Sequence, residues 1–228
     1  MSKTGVIVQA RTTSIRFPNK IFQKLDEDNT VLSFLMKTLK NCKAIDAIIL
    51  AVPEDQLGHF LHFGSLDDKI HIFGGDENNV LKRFYDASKK FNLQTIVRIT
   101  SDCPLIKKEM IEKIVDEFDS SGVDYLTNYS LGGTSSKNPD NYISDTSTPD
   151  GFCLEVFDFS CLKAAYDGAT DPYDLEHVTP WMRRKRSGKT ISTGTPTIVG
   201  KFSIDTPQDL SDVIILKRWI EEGKVKFS

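Results

Sequence analysis

Cysteine is scarce in this chain, and the few present are poorly placed for covalent or metal chemistry. Cys42, Cys103, Cys153 and Cys161 form no C-x-x-C pair and share no zinc-like spacing with the four histidines. A disulfide scaffold and a zinc module are thereby disfavoured, and reduced, mostly buried thiols are expected. Long hydrophobic runs are also missing. No apolar stretch approaches the ~20 residues a membrane span requires. Met1-Ser2-Lys3-Thr4 leads straight into an apolar strand, without the hydrophobic region of a signal peptide. A soluble, cytoplasmic protein with no membrane partner is expected. Neither sign of charge dominates: 29 Lys+Arg stand against 32 Asp+Glu, a net of −3. That balance argues against nucleic acid as the main partner. No G-x-G-x-x-G follows the first strand and no G-x-x-x-x-G-K-[ST] occurs, which disfavours a dinucleotide-binding dehydrogenase and a P-loop NTPase. Repeats and low-complexity tracts are absent too. A chain of 228 residues buries roughly 70% of its unfolded surface, so a core forms without staples.

What the chain does have is a rhythm. Residues 6–9, 47–52, 70–73, 95–100 and 123–127 read as strands, and 31–41, 79–91 and 108–120 as helices. The run 47–52 is continuously apolar, as in a strand buried on both faces. Val80, Phe84, Ala87 and Phe91 share one helical face, and so do Met110, Ile111, Ile114, Val115 and Phe118. Such alternation predicts a parallel sheet with helices on both sides. The rhythm breaks near Asn128. Residues 131–149 are rich in Gly, Ser, Asn and Pro, a loop composition. A loop so long inside a compact domain is expected to act as a lid or binding loop. Beyond it, 152–157 reads as a strand, 158–166 and 173–185 as helices, 202–204 as a strand and 206–222 as a final helix. Thr206-Pro207 supplies that helix with a capping hydroxyl and a first-turn proline.

The densest chemistry follows the first strand, in Gln9-Ala10-Arg11-Thr12-Thr13-Ser14-Ile15-Arg16-Phe17-Pro18-Asn19-Lys20. Three cations lie here with no acidic residue among them. The segment has no helical or alternating period and contains a proline, so it reads as a loop. Loops at the carboxyl ends of strands are where open α/β sheets bind ligands. Arg offers a planar fork and Lys a compact point charge for phosphate oxygens, with Ser14 as a further donor. A polyphosphate suits this set; a solvated basic loop is the alternative on charge alone.

The order A-R-x-x-S-x-R-x-P-x-K resembles the N-terminal signature of the cytidylyltransferases that make CMP-activated sugar acids, the Kdo cytidylyltransferase-like family. It is most similar to the branch named after spore-coat polysaccharide synthesis. The resemblance extends through Gly75-Asp76-Glu77-Asn78-Asn79-Val80-Leu81-Lys82-Arg83 and Arg98-Ile99-Thr100-Ser101-Asp102-Cys103-Pro104-Leu105-Ile106. It continues in Pro149-Asp150-Gly151-Phe152 with Glu155, in Glu176-His177-Val178-Thr179-Pro180, and in Ile204-Asp205-Thr206-Pro207 with Asp209-Leu210. Ser101 stands where the family usually has Gly, Asn78-Asn79 where it has an acidic pair, and Cys153-Leu154 where an acidic residue is common.

This resemblance implies a Rossmann-like three-layer α/β sandwich with a mixed, mainly parallel sheet, of the nucleotide-diphospho-sugar transferase type. It implies one nucleotidyltransferase domain, residues 1–127 handling the nucleotide and 128–228 the acceptor and homodimer contacts. The activity implied is Mg²⁺-dependent transfer of CMP from CTP to an acidic or phosphorylated acceptor, with release of pyrophosphate. Arg11, Arg16 and Lys20 would be catalytic, holding the β- and γ-phosphates. Ala10, Arg11, Ser14, Lys20, Arg83 and Asp102 would bind the nucleotide, and Arg98, Asp150, Glu155, Glu176 and His177 the acceptor. Asp102 and Asp205 each follow an apolar segment, and two separate carboxylates suit one Mg²⁺. Each could instead cap the helix after it, and for Asp205 read alone that is at least as good a reading; the resemblance favours metal for both. Another nucleotide, a phosphorylated sugar or polyol acceptor, and a non-catalytic nucleotide-binding protein are the alternatives.

Overall fold

The structure is a computed structural model describing residues 3–129, 148–198 and 200–227. Among them, seven strands form one sheet: β1 (Thr4–Gln9), β2 (Ala47–Pro53), β3 (Ile70–Gly75), β4 (Thr95–Thr100), β5 (Tyr125–Thr127), β6 (Glu155–Asp158) and β7 (Gly188–Thr190). Their order is β3-β2-β1-β4-β6-β5-β7. The first four run parallel, β6 runs antiparallel to both β4 and β5, and β7 pairs parallel with β5. The sheet is therefore mixed and mainly parallel.

Period-two alternation decides the layers. Val6 and Val8 face one core with Ile48, Leu50 and Val52, while Ile7 faces the other with Ala47, Ile49 and Ala51. Helices α1 (Val31–Lys40), α3 (Lys108–Ser121) and α7 (Pro207–Glu221) contribute to the first core. Helices α2 (Val80–Lys90), α4 (Phe159–Gly168) and α6 (Pro180–Lys185) contribute to the second. This is a Rossmann-like three-layer sandwich, as expected.

The sheet grows outward from β1 to β2 and β3, then returns to β1's other side with β4. The strand order thus reverses between β1 and β4, and the crevice beyond their carboxyl ends is where such sheets take ligands. The candidate site lies there.

Three expectations are corrected. Residues 173–185 are two helices, α5 (Pro172–His177) and α6, parted at Val178. Residues 202–204 form no strand, because their amides are engaged elsewhere: Phe202 N–H donates to Asp150 O at 2.7 Å and Ile204 N–H to Asp102 O at 3.0 Å. The short strand β7 was not anticipated. Most of the loop 131–149 lies outside the described residues.

Candidate active site

A cleft of about 430 Å³ opens over the ends of β1 and β4. Ala10, Arg11, Ser14, Arg16, Lys20, Arg83, Asp102, Glu176, His177 and Asp205 all line it. Ten side chains or backbone segments singled out from sequence therefore converge from five separate stretches of chain. Gln9, Ile15, Glu77, Val80, Thr100 and Ser101 complete the lining.

The basic loop is shaped by uncharged groups. Asn19 N–H donates to Thr12 O at 3.0 Å, closing the loop on itself. Thr12 donates its N–H and hydroxyl to the buried Gln56 Oε1, at 2.8 and 3.0 Å. Asn19 takes φ 55°, a left-handed position Asn tolerates, and the next residue opens the turn Lys20–Phe22. Lys20 is thereby buried while Arg11 and Arg16 stay exposed.

Lys20 Nζ lies 2.6 Å from Asp102 Oδ2 and 3.0 Å from Asp205 Oδ1. Burial works to lower the lysine's pKa, but the two carboxylates win and hold it above 10.5. Asp205 is contacted by two more cations, Arg16 at 3.0 Å and Lys201 at 3.2 Å. Burial works to raise its pKa, and Lys20 and Lys201 hold it below its ordinary value. The aspartates are 103 residues apart in sequence, and the Ile204 N–H to Asp102 O bond brings them together. Neither caps a helix. Thr206 caps α7 through Asp209 N–H, with the reciprocal contact that completes a capping box. Lys107 is at the N-cap of α3 and gives no side-chain cap. The capping alternative thus has no support in the geometry.

Arg83 is placed differently. It projects from α2, is buried, and among the described residues has only the carbonyl of Asp76 as a hydrogen-bond acceptor, from Nη1 at 2.6 Å. Its Nε is buried without a partner among the described residues. Burial, then the neighbouring Arg11, push its pKa down to about 10. A buried guanidinium facing a second cation is held at a cost that an anion in the cleft would remove. Asn79, one of the departures from the family pattern, caps α2 by accepting from Lys82 N–H at 2.8 Å.

Three residues read from the resemblance as acceptor contacts do not line the cleft, and each has a physical reason. Glu155 is 1% exposed, its carboxylate saturated by Arg98 at 2.5 Å, Tyr125 at 2.5 Å, Thr179 at 2.7 Å, Tyr129 at 2.9 Å, and Arg183. Direct contact with an acceptor would require dismantling that hub. Arg98 is committed to Glu155 and, through Nε, to Gln9 Oε1 at 3.3 Å. Asp150 accepts from Ser203 Oγ at 2.9 Å and pairs with Lys201 in an isolated bridge, so it braces the segment carrying Asp205. Gly151 adopts φ +100°, and a Cβ there would meet Phe202 C at 2.4 Å. The glycine admits the 202–203 backbone, not a ligand.

His177 and Glu176 reach the cleft by an unusual turn. Val178 has φ 70° and ψ −56°, and Thr179 N–H donates back to His177 O at 2.8 Å. That is the strained form of γ-turn, rare for a β-branched residue and costing on the order of 1–3 kcal/mol. It aims His177 at the cleft and turns Thr179 to Glu155. Partial burial lowers the His177 pKa, opposed by Glu176 and aided by Arg98 and Arg183, and the net direction favours the neutral ring.

A family model described as cytidylyltransferase matches residues 5–222. The chain belongs to the cytidylyltransferase family, and so to the nucleotidyltransferases. The uncharacterized protein MJ1063 of Methanocaldococcus jannaschii is 36% identical over 176 residues, covering 77% of this chain and 65% of that protein. This chain therefore spans a little under two thirds of that relative's length. The spore coat polysaccharide biosynthesis protein SpsF of Bacillus subtilis is 26% identical over 183 residues, covering 78% of this chain and 68% of SpsF. Among solved structures, a cytidylyltransferase from Leptospira borgpetersenii superposes with a TM-score of 0.79 at 25% identity, covering 94% of this chain and 86% of that one. Among the described residues of this family member, no helix is long and apolar enough to cross a membrane.

Proposed function

We propose that this protein is a Mg²⁺-dependent cytidylyltransferase that transfers CMP from CTP to an acidic sugar or related acceptor, releasing pyrophosphate, in the synthesis of surface polysaccharide or glycan precursors. The observation that carries the reading is the division of charge in the cleft. Arg11 and Arg83 form a cation pair with no carboxylate ion-paired to either among the described residues, whereas Asp102 and Asp205 converge on one point beside them. The first pair suits phosphates and the second a cation.

The donor set fits Mg²⁺, which takes one or two carboxylates and fills its shell with water and substrate phosphate oxygens. Among the described residues no third His, Cys, Asp or Glu joins the two aspartates, consistent with that preference. When bound, the ion would polarise a phosphate oxygen and screen the charge between acceptor and nucleotide.

Every other task falls to the chain. An acceptor oxygen, releasing its proton to solvent where it is a hydroxyl, attacks the α-phosphorus in line, the bond from that phosphorus to the bridging oxygen breaks, and pyrophosphate departs with the electron pair. No protein nucleophile is needed. Arg11 and Arg16 on the exposed side of the loop, with Lys20 beneath them, neutralise the charge that grows on the leaving group. Lys20 and Arg16 are paired with Asp205 here, so nucleotide entry would exchange those contacts for phosphate oxygens. Residues 1–127 supply the nucleotide side and 128–228 the acceptor side and a homodimer contact. The relative SpsF, named for spore coat polysaccharide biosynthesis, supports the pathway class.

The test is pyrophosphate release with CTP, UTP, GTP and ATP across a panel of sugar acids and phosphorylated polyols. Release that is CTP-selective, acceptor-dependent and abolished by a chelator is expected. CTP binding without turnover on any acceptor would identify a binding protein instead.

A further inference from the structure

Gln9 occupies the last position of β1, opposite Thr100 of β4, and lines the cleft half-buried. Its amide oxygen accepts from Arg98 Nε at 3.3 Å. A guanidinium can only donate, so this contact fixes which end of the amide faces it. The other end, Nε2 with two hydrogens, faces away from Arg98, and no group among the described residues accepts from it. In the cleft it is a donor of fixed polarity, awaiting an oxygen.

Arg98 is not free to release it. Its Nη1 lies 2.5 Å from Glu155 Oε2, and the other oxygen of that carboxylate takes Arg183, Tyr125, Tyr129 and Thr179. Burial, aided by the Glu155 carboxylate and opposed by Arg183, pushes both tyrosine hydroxyls well above their ordinary pKa, so they stay neutral. Two guanidiniums thus share one carboxylate, leaving a surplus of one positive charge among the described residues of the hub. Gln9 is the cleft-lining group bonded to that hub through Arg98. On the sheet this lies on the β4–β6 side of β1, whereas Arg83 rises from α2 and Arg11 and Arg16 from the loop.

We propose that Gln9 is a specificity-determining residue: its amide, locked by Arg98, donates to the carboxylate of the acceptor, and the buried surplus charge of the Arg98–Glu155–Arg183 hub favours an anion there. The proposal rests on the cytidylyltransferase reading above and adds the residue that recognises the acid. Hydrogen bonds to a charged group carry roughly ten- to hundred-fold in affinity. A half-buried strand-end side chain is replaceable without unfolding the sheet, so Gln9 is open to direct substitution.

The experiment measures binding by calorimetry, for wild type, Gln9→Met and Gln9→Glu. The probes are a non-hydrolysable CTP analogue with Mg²⁺ and, with that analogue present, 2-keto-3-deoxy-D-manno-octonate. Met keeps the length and removes the donors. Glu retains an acceptor for Arg98 but cancels the surplus charge and faces the cleft with an acid. The sugar acid is expected to weaken about ten-fold in Gln9→Met and further in Gln9→Glu, while the CTP analogue changes less than two-fold in either. Equal sugar-acid affinity in all three proteins overturns the proposal, as does a loss of CTP-analogue binding matching that of the sugar acid. Wild type that binds the analogue but not the sugar acid overturns it while leaving the nucleotidyltransferase reading in place. Wild type that binds neither removes both.

Discussion

Lys20, Arg11 and Arg83 carry one charge each, yet the environment gives them different work. Lys20 is buried and neutralised by two aspartates; Arg83 is buried and faces Arg11, its Nε without a partner among the described residues. Arg83→Ala and Arg11→Ala are each expected to weaken CTP binding ten- to hundred-fold, the range for charge-assisted hydrogen bonds. Arg11 is exposed on a loop, so its variant should melt within about 0.5 kcal/mol of wild type. Calorimetric Kd values alongside thermal melts check both halves of that statement. The residue types in the basic loop were readable from sequence because three cations without an acid is a local feature. Gln9 was not, since glutamine has no composition signal and its importance depends on Arg98, 89 residues away. Glu155 shows the opposite failure. Its block pointed toward the acceptor, but β6 places it between β4 and β5 beneath the cleft, and only the sheet order reveals that.

At the scale of the element, cap and cation site are adjacent but separable. Thr206 and Asp209 form the capping box of α7, and Lys201 with the capping contacts pulls the Asp209 pKa down to about 2 against burial. Thr206→Ala should cost about 1 kcal/mol of stability, read from denaturant midpoints. Asp205→Asn and Asp102→Asn remove no cap, so a large loss of turnover with Mg²⁺ present is expected without a matching loss of helix stability. Turnover near wild type in both Asn variants would sink the metal assignment. The long periodic helices and the four parallel strands were legible because burial on one or both faces imposes a period. The second half was less so. Three-residue β7 carries Gly, Lys and Thr and no apolar alternation. The break between α5 and α6 falls at Val178, whose positive φ no β-branched residue advertises in a sequence, while Thr179 before Pro180 keeps helical geometry.

For the molecule as a whole, the Glu155 hub ties β4, β5, β6 and α6 together, joining the sheet to the helix that follows the turn after His177. Burial alone would raise the Glu155 pKa; Arg183 and Arg98 overcome it and hold the group well below its ordinary 4.5. A depressed folded-state pKa contributes stability fully present above the unfolded value and lost as pH falls below it toward the folded one. Wild type should therefore lose stability progressively below about pH 4.5, and Glu155→Gln should show a shallower acid slope. The variant should also start about 3–5 kcal/mol less stable at pH 7, the usual result of stranding buried charges. Chemical denaturation between pH 3 and 7 tests the slope and the offset together, and an unchanged slope would show that the hub does not couple folding to protons.

The turn at Val178 has a bearing on anyone who would engineer this protein for heat resistance. Schemes that search a backbone for residues at odds with their dihedral angles would choose this valine first and offer glycine. Relief of roughly 1–3 kcal/mol of strain would nearly cancel the burial lost with a fully buried valine side chain, roughly 1.5–3 kcal/mol. The melting temperature would then hardly move. What would change is the stiffness with which His177 is presented, because glycine permits many conformations where valine, wedged into the core, permits one. An improvement measured by a thermometer alone would miss that exchange.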